Sequence, residues 1–347
     1  MVYKPKFQLN SKIVNSLTQI ERNMGYCDAI KLSRELLSVL QEKAIIEEAY
    51  YSTSSEFSNM SLKQLKEIMQ NSNYLDEDLR IIANYIEALK VVRYYLKSNN
   101  DITKNKSINK NIIRDIYRQL INKGKSCSVH SIKYRESKIE NIITTNMALK
   151  YQDDKDEVNV MINDLVQYDE QSTEVNSVIL AGILQFQIIY IQPFKIYNEI
   201  LAKIVAQLCL YRDNYQFNNL LILSEYYGKN KKGYYDAIKH SIKNDIDITA
   251  WLEYFSKALE VQSDILRKSL SKYQKYEELK LKNRLSERQI RLINNIIKYD
   301  SVNIRIFNKL YPYLTKRTLQ MEISKLVDMK LLQVIGNSTK REYALNI

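Results

Sequence analysis

Apolar residues recur at intervals of three and four along most of the chain, the period of amphipathic helices. This spacing predicts helices at 29–50, 61–70, 79–97, 157–169, 175–191, 198–212 and, as one long helix, 247–282. A further helix is predicted from Ile102 to Lys123, because Asp101 and Thr103 offer capping side chains and Gly124 a stop. The chain has only six Gly and three Pro in 347 residues, so turns are scarce. The fold is therefore predicted to be mainly α.

Residues 285–347 follow a different pattern of shorter elements. The pattern predicts three helices, the third capped by Thr315, and then two strands, at 285–298, 304–310, 315–330, 331–335 and 342–345. Three helices followed by a two-stranded wing is the order of a winged helix-turn-helix domain. We expect such a domain at the C-terminal end, joined to the preceding helices by a linker helix at 266–284.

The positive charge of the chain is concentrated in this C-terminal part. Residues 272–347 contain 16 Lys and Arg against 7 Asp and Glu, a net +9 of the total +12. Such an asymmetry indicates a module that faces a polyanion. The candidate DNA-binding residues lie on the first turns of the third helix and on the wing: Lys316, Arg317, Gln320, Lys340 and Arg341. Double-stranded DNA is the predicted partner; the alternative is a winged helix for protein contacts or dimerisation, with solvated charge.

Residues 191–203, at the end of an apolar segment, read I-Q-P-F-K-I-Y-N-E-I-L-A-K. They resemble the signature of the Fic family, H-P-F-x-D/E-G-N-G-R-x-x-R, whose members typically transfer AMP from ATP to a protein hydroxyl. Pro193, Phe194 and Asn198 match the signature, and Lys203 replaces its last Arg conservatively. The other signature residues, which are the His, the acid, two glycines and the first Arg, are replaced by Gln192, Ile196, Tyr197, Glu199 and Ile200.

Other segments carry the same resemblance over residues 30–260. Residues 47–56 resemble the inhibitory helix of the family, with Ser52 and Glu56 at the S/T-x-x-x-E positions. Residues 134–137 resemble the segment that leads into the hairpin flap. The resemblance implies a Fic-type helical bundle with a small β-hairpin flap at 127–152. The predicted organisation is an N-terminal helical region with the inhibitory-type helix at about 45–56, a Fic core, a linker helix and a winged helix, at 1–100, 101–265, 266–284 and 285–347.

The replaced residues predict that the chemistry is lost. An amide such as Gln192 cannot accept a proton from a hydroxyl, and losing a general base costs about 10²–10⁴ in rate. Ile196 offers no oxygen to Mg²⁺, so no cofactor is predicted. The leading hypothesis is a catalytically degenerate Fic-fold protein acting as a DNA-binding regulator or scaffold. Two alternatives stay open: a protein AMP-transferase that uses ATP and Mg²⁺ with non-standard residues, Lys203 and Asn198 holding phosphate, and a pure interaction module.

Glu56 and Lys203 keep opposite charges at positions that pair in the resembled family. They are either a retained lock or ordinary surface charges, which contribute roughly 0–1 kcal/mol when exposed. The scattered Cys27, Cys127 and Cys209 argue against disulfides and fit a cytoplasmic protein. No membrane partner is expected, while a protein partner at the flap and a homodimer are compatible with these features.

Overall fold

A computed structural model describes residues 4–54, 60–71, 77–98, 107–121, 132–136, 155–215, 217–337 and 341–346. These ranges contain fourteen α-helices and three short strands. The helices that precede the C-terminal segment are α1 Ser11–Ala29, α2 Arg34–Thr53, α3 Leu62–Asn71, α4 Glu77–Ser98, α5 Lys110–Leu120, α6 Lys155–Gln171, α7 Ser177–Ile191, α8 Asn198–Arg212, α9 Leu223–Lys229, α10 Lys231–Lys243 and α11 Thr249–Lys282. The C-terminal segment contains α12 Glu287–Tyr299, β1 Ser301–Asn303, α13 Ile304–Leu310, α14 Lys316–Asp328, β2 Leu332–Ile335 and β3 Glu342–Leu345.

The centre of the molecule is the helix α7, which is apolar and buried nearly all round. A helix without a polar face must be enclosed by other helices, and α8 and α11 pack against it. Gly182 allows the close approach of α11, since a Cβ there would lie 2.8 Å from Cδ2 of Leu252. The indole of Trp251 donates a 2.8 Å hydrogen bond to the carbonyl oxygen of Gly182. These contacts fix the position of α7, and with it the loop at its C-terminal end.

The long helix α11 joins the helical bundle to the C-terminal segment. Its first half packs against α1, where the amide of Asn23 donates to the Ser263 hydroxyl at 3.0 Å and Ser16 donates to Glu260 at 2.7 Å. Its second half continues unbroken to Lys282. The predicted linker at 266–284 is thus the extension of a core helix.

The C-terminal segment forms a small sheet beside three helices. The strand order is β1-β3-β2, and both pairings are antiparallel. Side-chain caps begin its helices: Ser286 and Gln289 form a capping box on α12, Asn303 caps α13 and Thr315 caps α14. The buried side chains that fill its interior include Leu292, Ile293, Ile296, Phe307, Leu319, Ile323, Leu326 and Leu332.

The helix α2 lies between the bundle and this segment. Its outward side chains bond to α12, with Lys298 Nζ 2.5 Å from Glu42 and the Asn294 amide donating to Glu35 at 2.8 Å. A buried ammonium, Lys66 on α3, contacts both Glu47 of α2 and Asp300 after α12. Helix α2 therefore contacts both parts of the protein.

Most predicted helices are confirmed. The corrections concern the start of one helix and four elements that were not predicted. Helix α5 begins at Lys110 with Asn109 as its cap, so the predicted start at Ile102 is wrong. Residues 107–109 are not helical, and the side chain of Asn109 accepts from two backbone amides, at Asn111 and Ile112. Helices α1, α9 and α10 and strand β1 were not predicted. Within the predicted flap, only residues 132–136 belong to the described part of the chain.

Among the described residues, no helix combines the length and the apolar character needed to cross a bilayer.

Candidate functional site

The loop between α7 and α8 has left-handed backbone at both ends. Gln192 has φ 47° and follows the last residue of α7. Its backbone amide donates a hydrogen bond to the Ile188 carbonyl at 3.0 Å. Tyr197 has φ 60° and precedes α8. A side chain in this conformation costs about 1–2 kcal/mol. Tyr197 occupies the position that the Fic signature assigns to glycine, so the backbone has kept a conformation that the residue type disfavours.

Asn198 and Phe194 hold the loop closed through two hydrogen bonds. The Phe194 amide donates to Asn198 Oδ1 at 2.9 Å, and Asn198 Nδ2 donates back to the Phe194 carbonyl at 2.6 Å. The Phe194 ring is buried and stacks on Tyr117, with centroids 3.7 Å apart and planes at 5°. Phe194 and Asn198, which match the Fic signature, therefore form the contacts that shape the loop.

Arg135 supports the loop from the segment at 132–136. Its backbone amide donates to the Pro193 carbonyl at 2.9 Å, while Nε donates to the Gln192 carbonyl at 2.8 Å and a terminal nitrogen to Ile191 at 3.3 Å. These carbonyls close the C-terminal end of α7, where a positive charge is favourable. The predicted approach to the flap is thus in contact with the loop.

Lys203 lies inside the molecule, so the interpretation of an ordinary surface charge is wrong for this residue. It is 5% exposed, and its Nζ donates to the carbonyl oxygen of Ser52 at 3.1 Å. The same nitrogen is 3.6 Å from Glu199, which also accepts from the Tyr235 hydroxyl at 3.2 Å. Lys203 therefore ties α8 to the C-terminal end of α2. Glu56 lies outside the described residues, and its pairing with Lys203 stays a prediction.

A buried carboxylate, Glu48 of α2, organises the polar groups next to Lys203. Glu48 is 3% exposed. Its carboxylate accepts hydrogen bonds from the backbone amide of Ser224 at 3.0 Å, from the Ser224 hydroxyl at 2.5 Å and from the side-chain amide of Gln207 at 2.5 Å. The hydroxyls of Ser52 and Tyr85 each lie 3.2 Å from it. Ser52 also lies 2.6 Å from the Ser224 hydroxyl. The candidate inhibitory-type serine is thus part of a closed hydrogen-bonded cluster.

Burial raises the pKa of the Glu48 carboxyl, and the hydrogen bonds from Ser224 and the charge of Lys203 lower it only in part. Glu48 was not predicted as a site residue. The sequence did offer a signal for Glu48, because it lies on the apolar face of α2, in a series of residues spaced four apart. A carboxylate at such a position is buried and needs hydrogen-bond partners. That series consists of Leu36, Leu40, Ala44, Glu48 and Ser52.

Several solved structures share this architecture. A Fic family protein from Desulfovibrio desulfuricans G20 is 13% identical, with a TM-score of 0.61 over 99% of this chain and 98% of that chain. The chain has the Fic fold. A Fic domain containing signaling protein from Bacteroides thetaiotaomicron VPI-5482 is 16% identical, with a TM-score of 0.57 over 75% and 98% of the two chains. A fragment of Fic-1 from C. elegans is 14% identical, with a TM-score of 0.54 over 75% and 70%. No family model and no curated sequence matches the chain.

In this Fic fold, the residues that would handle phosphate and metal are replaced by side chains that do not fit Mg²⁺. Ile196, at the position of the metal-binding acid, is half exposed at the loop and offers only carbon atoms. Ile200, at the position of the first Arg, is buried in the core. Among the described residues, no group of three or more His, Cys, Asp and Glu could hold a metal ion. Ile196 and Ile200 therefore offer no ligand atom to a metal ion or a phosphate.

The candidate DNA-binding residues lie on the surface of the C-terminal segment. Lys316, Arg317 and Gln320 are exposed on the first turns of α14. Arg341 is exposed just before β3, with its guanidinium 5.9 Å from the centroid of the Tyr343 ring. Lys340 lies outside the described residues. The described candidates are accessible from solvent, as contact with a phosphate backbone requires.

Proposed function

We propose that the chain is a catalytically degenerate Fic-fold protein that acts as a DNA-binding regulator or scaffold through a C-terminal winged helix. The observation that carries the proposal is the exposed basic start of α14, with Lys316, Arg317 and Gln320, in a segment that has the element order of a winged helix. In such a domain the start of the third helix enters the major groove, and the wing contacts backbone or minor groove.

The arrangement of the C-terminal segment supports this function. Helix α12, strand β1, helices α13 and α14, and the β2-β3 hairpin follow each other as in a winged helix, and Thr315 fixes the start of α14. Arg and Gln side chains can read base edges, while Lys and Arg neutralise phosphates. A domain with these residues would bind all duplexes weakly through its charge and a preferred site more tightly.

The loop at 192–197 supports the loss of AMP transfer. Gln192 provides no general base, and Ile196 provides no metal ligand. Glu199 places a carboxylate in the first turn of α8, where the signature has glycine. A carboxylate at a helix N-terminus occupies the place that a phosphate would take and repels it. Lys203, the remaining cation of the motif, already bonds to Ser52 and Glu199.

Fluorescence anisotropy with a pool of random duplexes, over a series of salt concentrations, tests DNA binding. We expect binding that weakens as salt rises. Arg341→Ala should weaken binding to all sequences about equally and lower the salt slope by about 1. Arg317→Ala should cost about 1–3 kcal/mol selectively at a site enriched from the pool. Lys90→Ala, an exposed lysine on α4, is the control and should change neither quantity. DNA binding that does not depend on salt, or no DNA binding at all, would contradict the proposal and leave the interaction-module hypothesis.

Titration calorimetry with ATP, with and without Mg²⁺, tests the loss of catalysis separately. We expect no saturable heat at millimolar ATP, because the loop lacks anion and metal ligands. Saturable, Mg²⁺-dependent binding of ATP that becomes tighter in Glu56→Gly would instead support the alternative hypothesis of a protein AMP-transferase.

A further inference from the structure

A cavity of about 340 Å³ lies between α2, α11 and the residue that follows α12. It is separate from the loop at 192–197 and from the start of α14. Its volume is within the range of small-molecule sites. The apolar part of its wall consists of Leu40, Ala44, Leu62, Leu220, Ile222, Ile265, Leu266 and Leu270. This wall suits the apolar body of a small ligand.

Two tyrosines contribute polar groups to the cavity. Tyr51 of α2 and Tyr273 of α11 are half-buried in its wall, and neither hydroxyl forms a hydrogen bond among the described residues. Burial raises the pKa of Tyr51 to about 12, and burial also raises that of Tyr273. Both phenols are therefore neutral at physiological pH. Each can exchange a hydrogen bond with a ligand and present its ring face to a cation.

Carboxylates outnumber ammonium groups among the residues that line the cavity. Glu47, Glu225 and Asp300 line it, against a single ammonium, Lys43. Lys43 bonds to Asp300, and the neighbouring Lys66 bonds to both Glu47 and Asp300. Among the described residues, Glu225 pairs with an exposed lysine, Lys229, at 2.6 Å, and the side-chain amide of Gln262 lies 3.3 Å from its carboxylate. Glu47 and Asp300 are thus already compensated by Lys43 and Lys66. Glu225 is the carboxylate of the wall that a cationic ligand can reach, because an ion pair with an exposed lysine is weak and is easily displaced.

We propose that this cavity binds a small organic ammonium ion with an apolar body. The ammonium would lie near Glu225 and the phenols of Tyr51 and Tyr273, and the apolar body would contact the aliphatic wall. The site is new in kind, because it uses neither the Fic loop nor the basic C-terminal surface. It is independent of the proposed DNA binding, and its failure would leave that proposal unchanged.

A charge series on one apolar body tests the site. Phenethylamine, 2-phenylethanol and phenylacetate share an aryl group and differ in charge. Each would be titrated into the whole chain and followed by saturation-transfer NMR and calorimetry. We expect saturable binding of phenethylamine, weaker binding of the alcohol and none of the acid. Phenethylamine without saturable binding, or phenylacetate binding equally well, would overturn the proposal.

Two variants locate the site without removing a core side chain. Glu225→Gln should weaken phenethylamine about tenfold, the loss of one charge-assisted hydrogen bond. Tyr273→Phe should weaken it less, because the ring face remains. Glu87→Gln, which removes an exposed carboxylate on α4, is the matched control and should leave the affinity unchanged. Equal affinity in the wild type, Glu225→Gln and Tyr273→Phe would place the ligand elsewhere and overturn the assignment. Thermal unfolding of each variant checks that the fold is intact.

Discussion

At the scale of single residues, the loop at 192–197 is held together by side chains that match the Fic signature. Phe194 and Asn198 form the packing and hydrogen bonds that close the loop. Ile200 has joined the hydrophobic core, where an arginine would carry an unpaired charge. These contacts hold the loop in place whether or not it acts on a ligand.

Phe194→Ala tests this structural role of the loop. Removing the buried ring should lower the free energy of unfolding by about 3–5 kcal/mol, because the cavity next to Tyr117 cannot be filled. Urea denaturation followed by circular dichroism measures the change. Ile196→Ala, an exposed side chain of the same loop, is the control and should stay within about 0.5 kcal/mol. Equal effects of the two variants would contradict the role given to Phe194.

Glu48 gives a prediction of pH dependence. The pKa of Glu48 is higher in the folded state than in the unfolded chain. Between these two pKa values, the folded state therefore holds a proton that the unfolded state has released. The stabilisation is therefore fully present below the unfolded pKa and is lost as pH rises through the folded value. The free energy of unfolding of the wild type, relative to Glu48→Gln, should fall as pH rises above about 4.3.

Urea titrations at a series of pH values measure this difference. Glu87→Gln provides the control, because an exposed carboxylate should give a much smaller pH-dependent difference. A wild type that gains stability relative to Glu48→Gln over the same pH range would contradict the direction of the shift.

At the scale of elements, α2 connects the Fic bundle to the C-terminal segment. One face carries Glu48 and Ser52 toward α8 and α9. Another face carries Glu35, Glu42 and Glu47 toward α12 and its neighbours. A displacement of α2 would therefore disturb contacts with α8 and α9 on one side and with the C-terminal segment on the other.

Lys66→Met tests the strength of that link. Lys66 is 4% exposed and bonds to Glu47 and Asp300, so its removal leaves these two carboxylates to share a single ammonium, that of Lys43. We expect the free energy of unfolding to fall by about 1–3 kcal/mol. Lys90→Met removes an exposed ion pair with Glu87 and should change it by less than about 1 kcal/mol. Comparable losses in the two variants would show that the buried network adds no stability.

At the scale of the whole molecule, the two described cysteines report on opening of the fold. Cys27 and Cys209 are both fully buried. Burial raises the pKa of Cys27 to about 11 and also raises that of Cys209, so few thiolates form near neutral pH. Their chemical reactivity should depend on unfolding.

Labelling with Ellman's reagent measures this dependence. In a Cys127→Ser variant, which removes the third cysteine, we expect no fast reaction at pH 8. The labelling rate should instead rise with urea in parallel with unfolding, and both thiols should react at once when the chain is fully unfolded. Fast labelling of the native variant would contradict the burial of the bundle core.

Much of the fold was predictable because helices repeat their apolar positions along the chain. The long α11 and the helix after the loop, α8, were predicted within two residues of their observed bounds. The predicted start of α5 was wrong because Asp101, Thr103 and Asn109 are all residue types that can cap a helix, and the local sequence does not distinguish between them. The candidate DNA-binding residues were predicted on the first turns of the third helix and on the wing. Of these, Lys316, Arg317 and Gln320 lie on the first turns of α14, and their part in DNA binding stays a prediction.

The sequence by itself determined the helical class, the replaced residues of the loop and the concentration of charge at the C-terminal end. Each of these depends on local spacing or on residue chemistry, which can be read along the chain. Tertiary structure alone decided that Lys203 is buried against Ser52, that Glu48 collects donors from three other helices, and that α2 contacts the C-terminal segment. These contacts join residues far apart in sequence, and a burial or a hydrogen bond exists only once the chain has folded around it.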